Sequence, residues 1–223
     1  MLNAQKNNMT KKLVDACMTV LLLLLTAYQV TGETLHEWFG VGMTALLIVH
    51  HVLNRKWYGT LFRGRYNACR IVSVTVNTLL LASIALTAVC GMAMSAHAAP
   101  FLYGMLPVSF ARRFHLAMSY WSFVLMGLHL GLHLPAMTQK WSAGVKTAAM
   151  AALTAAAGVG IWRFVKNEIP DYLFFRTPFA FFDYGKSAIL VFGENLAILL
   201  AFAFFGSCCA LSFRRMGRKV RSI

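Results

Sequence analysis

Charge is what this chain has least of. Only 13% of its 223 residues are charged, and seven acidic residues stand against 21 Lys and Arg. The five cysteines (Cys17, Cys69, Cys90, Cys208 and Cys209) form no C-x-x-C or C-x-x-C-H string, so neither a thiol zinc site nor c-type haem attachment is indicated. They read as small apolar packing residues. No G-x-S-x-G or H-E-x-x-H string occurs, which leaves the common hydrolase readings without their residues. Apolar residues are what the chain does have. They make up 59% of it, and a mean hydropathy of +0.62 is too high for a soluble domain of this length.

A transmembrane helix needs about 20 mostly apolar residues. Six stretches qualify: 13–30, 37–54, 71–99, 110–137, 143–165 and 187–213, the Ala- and Gly-rich fifth being the weakest. The expectation is an all-α, polytopic membrane helical bundle of about six transmembrane helices, one domain over 1–223 with no second soluble unit. Lys11 and Lys12 before an apolar run also resemble a secretory signal. No A-x-A-like cleavage site follows Leu25, so the segment reads as an uncleaved first span.

Placing the N-terminus in the cytoplasm puts 15 of the 21 basic residues on that side, with Asp15 as their one acid. They lie before the first span, in the loop 55–70, around Lys140 and Lys146, and in a basic tail, 214–223. This positive-inside pattern predicts a multi-pass protein with both termini cytoplasmic. It also accounts for the basicity by topology, without a nucleic-acid partner.

The loop 31–35 is short enough to make the first two spans antiparallel neighbours. Thr34-Leu35-His36-Glu37 has capping-box spacing, with Glu37 reaching back to the cap. Ser109 is the expected cap of the fourth span. Trp57 and Tyr58 suit the inner membrane interface. The outer connection 166–186 carries Tyr172, Phe174, Phe175, Phe179, Phe181, Phe182 and Tyr184, and reads as a segment lying in the interface or lidding the bundle.

Four histidines form two pairs with one spacing. His36 and His50 are 14 residues apart on the second span, and so are His115 and His129 on the fourth. A 14-residue step climbs roughly 21 Å and falls about 40° short of four turns, so each helix shows two imidazoles on nearly one face, one towards each surface. The two spans run in the same direction, which brings His36 level with His115 and His50 level with His129. That is the ligand plan of a membrane cytochrome b with two haem b groups, held in a four-helix haem-binding core over 13–137. Helices five and six with the aromatic loop (138–213) complete the bundle. Intramembrane ionisable groups are costly and tend to mark function, although a lone histidine in an apolar helix is usually a packing residue.

His51, His97 and His133 compete for these roles. His51 matches His36 slightly less well than His50 does. His133 matches His115 better in angle than His129, but its span of roughly 27 Å nearly fills the hydrocarbon layer. It is therefore expected near a propionate, a quinone or the inner haem's surroundings, and His97 at the interface. Arg112 and Arg113 are candidates to neutralise propionates of the outer haem. Gly40, Gly127 and Gly131 would let a flat macrocycle approach the backbone, though small residues also serve helix packing. Glu194 is a candidate acceptor of quinol protons, the alternative being pairing with a base of the outer loop.

The strings Thr-Gly-Glu-Thr-Leu-His-Glu-Trp-Phe-Gly (31–40), His-His-Val-Leu-Asn-Arg-Lys-Trp-Tyr (50–58) and Arg-Arg-Phe-His…Leu-His-Leu-Gly-Leu-His (112–133) resemble the flavinylation-associated cytochromes, as does Arg-Thr-Pro-Phe-Ala-Phe-Phe-Asp-Tyr (176–184). The resemblance covers nearly the whole chain, with Cys90-Gly91 where that family's pattern has Ser-Gly. It implies a b-type cytochrome of a bacterial cytoplasmic (inner) membrane, with axial ligands His36, His50, His115 and His129. It also implies an extracytoplasmic partner that carries covalently attached FMN. Quinol or a cytoplasmic reductase would complete the electron path, making the chain an electron-transfer subunit of a membrane oxidoreductase rather than a stand-alone enzyme. The rival readings are a histidine-lined transporter for a transition metal or protons, whose histidines would converge on one midplane site, and a non-redox membrane anchor subunit.

Overall fold

The computed structural model describes residues 2–219, with side chains over 9–214; the first side chains and most of the basic tail lie outside the described residues. Eight α-helices follow one another: α1 (Leu2–Thr26), α2 (Tyr28–Leu53), α3 (Lys56–Leu61), α4 (Ala68–Met92), α5 (Val108–Met137), α6 (Ala143–Lys166), α7 (Ile169–Leu173) and α8 (Ala188–Lys219). Among the described residues there is no strand. Long apolar runs, with proline inside only one of the long helices (Pro135, near the end of α5), satisfy their backbone hydrogen bonds internally as helices, as a membrane would require.

Three helices are long and apolar enough to cross a membrane: Ala68–Met92, Ala143–Lys166 and the stretch Ala188–Arg214 of α8. The α6 stretch is the most outward-facing, with only 11% of it buried, whereas 39% of the α8 stretch is buried against its neighbours. The other long helices, α1, α2 and α5, are of similar length but carry the polar groups. Lys11, Lys12 and Asp15 lie in α1, Glu33, Glu37 and three histidines in α2, and His115, His129 and His133 in α5.

Caps settle several helix starts. The Asn67 side chain accepts a hydrogen bond from the Arg70 N–H (2.9 Å) at the start of α4, and Ser142 caps α6. Two expected caps do not form. Ser109 lies inside α5, whose entry is set instead by Pro107, and Glu37 is turned away from Thr34 to the turn that follows α4. The chain reverses between α1 and α2 through Ala27 and a break at Gly32, whose φ of 71° favours a residue without Cβ.

α5 is the centre of the bundle: Ser122 to Gly127 are buried without interruption, so this stretch is covered on all sides. It packs on α4 and on α8, and α6 packs on the far side of α8. The α5–α8 and α6–α8 seams are made by glycines. A Cβ on Gly131 would strike the Ala203 carbonyl, one on Gly206 the Leu128 carbonyl, and one on Gly160 the Ala197 carbonyl. Gly127 and Gly131 therefore admit a helix, α8, on their open face, as small-residue packing in membranes does. α1 and α2 form an antiparallel hairpin, Leu21 touching Gly42 and Asp15 meeting His50 two turns further on. This hairpin packs mostly on itself and only sparsely against α4 and α8.

Candidate metal-ligand site

The gap between the α1–α2 hairpin and α5 is bridged by imidazoles. At one end of the bundle His36 and His115 face each other with ring centroids 6.0 Å apart. Two imidazoles held on one metal at roughly 2 Å each have ring centres about 6 Å apart. At the other end His50 on α2 faces His129 and His133 on α5 at longer range, with no ring contact between the two helices among the described residues. The rings of His129 and His133 are 4.7 Å apart. α2 and α5 thus run side by side in the same direction, and the histidines fall into two groups, not one.

Three of these rings are anchored through Nδ1, two of them by α4 and one by α1. His115 Nδ1 donates to the Thr87 carbonyl (2.9 Å) on α4. His129 Nδ1 donates to Asn77 Oδ1 (2.8 Å), ten residues earlier on the same helix. His50 Nδ1 donates to Asp15 Oδ1 (2.8 Å) on α1. An acceptor at Nδ1 fixes the tautomer and leaves Nε2 with its lone pair available to a metal. The fourth ring differs: His36 Nδ1 is buried and makes no hydrogen bond of ordinary geometry, although the Leu25 backbone lies within reach of the ring. A buried ring nitrogen without a partner is costly in a protein interior unless something else completes it.

Of the competing histidines, His51 and His97 are placed elsewhere, and His133 stays beside His129. His51 turns to the short helix α3, where its Nδ1 is 2.7 Å from the Tyr58 hydroxyl. His133 is exposed, and His97 is exposed in the turn after α4. His97, Glu33 and Glu37 bring ligand-type atoms within 4.8 Å of one another. Both Glu37 oxygens, however, already accept hydrogen bonds from Ser95, Ala96, His97 and Ala98.

Arg112 and Arg113 are exposed on the first turns of α5, and neither makes an ion pair among the described residues. Arg113 lines a groove of about 430 Å³ with Ser109, Phe110, Phe114 and Phe175. Glu194 is buried and fully engaged by Lys186 (2.9 Å), Asn167 (3.0 Å) and Arg163 (3.0 Å), which joins the ends of α6 and α8. Pairing with bases is its observed state. The aromatic segment docks across the His36 end. Trp121 Nε1 donates to the Leu173 carbonyl (3.1 Å), Tyr120 stacks on Tyr172, and Phe182 stacks on Tyr28, whose ring meets His36 edge-on at 5.1 Å.

No family model, curated protein or solved structure matches the chain. The resemblance to flavinylation-associated cytochromes therefore rests on the histidine-bearing strings. Sequence reasoning missed Asp15, Asn77, Thr87 and Gly91. Asp15 had one signal, as the lone acid among the bases of its side. Gly91 had another, since it falls where the family pattern also has glycine. A Cβ there would lie 3.0 Å from His115 Cε1, so the ring rests directly on the α4 backbone.

Proposed function

We propose that this chain is a di-haem b-type membrane cytochrome, an electron-transfer subunit whose α1, α2, α4 and α5 form the haem-binding core of a six-span bundle. The observation that carries the reading is the His36–His115 pair, whose rings stand 6.0 Å apart between α2 and α5. The Nδ1 anchors on His115, His129 and His50 support it further. In this reading His36 and His115 hold one haem, and His50 and His129 the other. When bound, haem supplies reversible one-electron chemistry, and two imidazoles on its iron leave no open position for oxygen. Thr87, Asn77 and Asp15 keep the rings oriented and set their basicity. The exposed Arg112 and Arg113 are placed to offset propionate charge, and His133 borders the second site, where a quinone is a candidate neighbour.

In this reading the membrane is a bacterial inner membrane, and the positive-inside bias supports a cytoplasmic side for the His50 end. Electrons then pass between quinol or a cytoplasmic reductase at that side and an extracytoplasmic FMN-bearing protein at the His36 side. The transporter reading needs one convergent site, whereas the rings here form two groups.

Purified protein is expected to show a reduced-minus-oxidised b-type spectrum and about two haems per chain. A colourless preparation that binds zinc instead would falsify the reading. Gly91→Ala adds a methyl where the His115 ring already lies in contact, so the ring must move by a few tenths of an ångström against its Thr87 anchor. The expected result is about a tenfold weaker haem at the His36 end, measured by haem titration, with the other site unchanged.

A further inference from the structure

We propose that Glu37 is a positioning residue: by capping the turn Ser95–Ala98 it sets the distance between His36 and His115. The inference rests on the haem reading for its functional consequence, but its geometry stands apart from it. Glu37 follows His36 directly, and its carboxylate points away from its own helix. Oε2 accepts hydrogen bonds from Ser95 Oγ (2.7 Å) and from the N–H groups of His97 and Ala98 (both 2.8 Å), while Oε1 accepts from the Ala96 N–H (3.0 Å). Successive backbone N–H groups converging on one anion make a nest, a strong and directional contact. Ser95 Oγ in turn accepts from the Ala99 N–H (2.8 Å), so the turn is itself pinned where Glu37 grips it.

This grip matters because, beside the Tyr28–Phe182 stack and apolar side-chain contacts, it is the directional polar link between the two parts at this end. The α1–α2 hairpin packs sparsely on α4. The same end of α4 also holds His115, through the Thr87 carbonyl and the bare Gly91 backbone. The last turns of α4 are therefore a common reference for both rings: Thr87 and Gly91 seat His115, and the turn just beyond seats His36 through Glu37. Without that grip the hairpin and its ring are free to move relative to α5, and the ring separation is no longer held.

The test uses Glu37→Ala and Glu37→Gln in the full chain, with Ser95→Ala as a milder variant should either fail to insert. Glu37→Ala is expected to weaken haem binding at the His36 end by about ten- to a hundredfold, leaving the His50 end unchanged. Glu37→Gln, which keeps one carbonyl acceptor, and Ser95→Ala, which removes one bond, should fall between. Hydrogen exchange at the amides of Ala96–Ala98 should accelerate in Glu37→Ala. Faster exchange with unchanged haem affinity and spectrum at that end would overturn the proposal, leaving Glu37 a local clip. Should the wild type bind no haem, the haem reading fails separately. The latch is then read from the distance distribution between nitroxides on V41C and F110C, in a background cleared of the native cysteines. Broadening in Glu37→Ala supports the latch, and an unchanged distribution overturns it.

Discussion

His129→Ala is expected to reduce haem from about two to about one per chain, whereas His133→Ala leaves the content near two. Both histidines lie on α5, one turn apart, and both are near His50. Helical angle alone favours His133 as the partner of His115, and vertical spacing favours His129. The decisive difference is the anchor. His129 is half-buried with Nδ1 held by Asn77, so its Nε2 is already aimed and its tautomer set. His133 is exposed and has only a ring contact to His129. Ordering a free imidazole costs rotamer entropy that His129 has already lost on folding. Haem counts by pyridine haemochromogen on the two variants read the outcome directly. Loss in His133→Ala with retention in His129→Ala would place the second site one turn further along α5.

Gly131→Leu is expected to lower the melting temperature of the detergent-solubilised protein by several degrees, and Gly40→Leu to leave it near wild type. A Cβ on Gly131 meets the backbone of Ala203, which cannot rotate away, so α5 and α8 must separate. Overpacking of this kind costs about 1–3 kcal/mol. A Cβ on Gly40 meets nothing within 4 Å, so the bundle tolerates a side chain there. In the proposed function that open space, one turn from His36, admits the macrocycle. Gly40→Leu should then weaken haem at the His36 end while leaving thermal stability alone. The two glycines would thus separate packing from binding, a distinction that their sequence context does not make.

That contrast shows where reading from residues stops. The glycines look alike in sequence because each sits near a histidine. Only the position of α8, which arrives about 70 residues later, decides that Gly127 and Gly131 are a seam. Glu37 is a similar case. Its spacing to Thr34 fits a capping box, yet Ser95 and the N–H groups after it, 58 or more residues away, compete more strongly for the carboxylate. Four donors at 2.7–3.0 Å outweigh one local cap.

The helical class, the apolar stretches and the 14-residue histidine steps were legible because they depend on composition and on the 3.6-residue period, both local properties. So was the common direction of α2 and α5, which follows from one long helix, α4, lying between them. The groups that orient the rings were not legible. Asp15 is 35 residues from His50, Thr87 is 28 from His115 and Asn77 is 52 from His129. These contacts exist only once α1 pairs with α2 and α4 with α5, and the choice among many polar side chains is made by packing distance and hydrogen-bond geometry. Spacing along one helix supplies a pair of imidazoles at two heights; tertiary structure alone supplies the acceptor behind each ring and the latch that keeps two of them face to face.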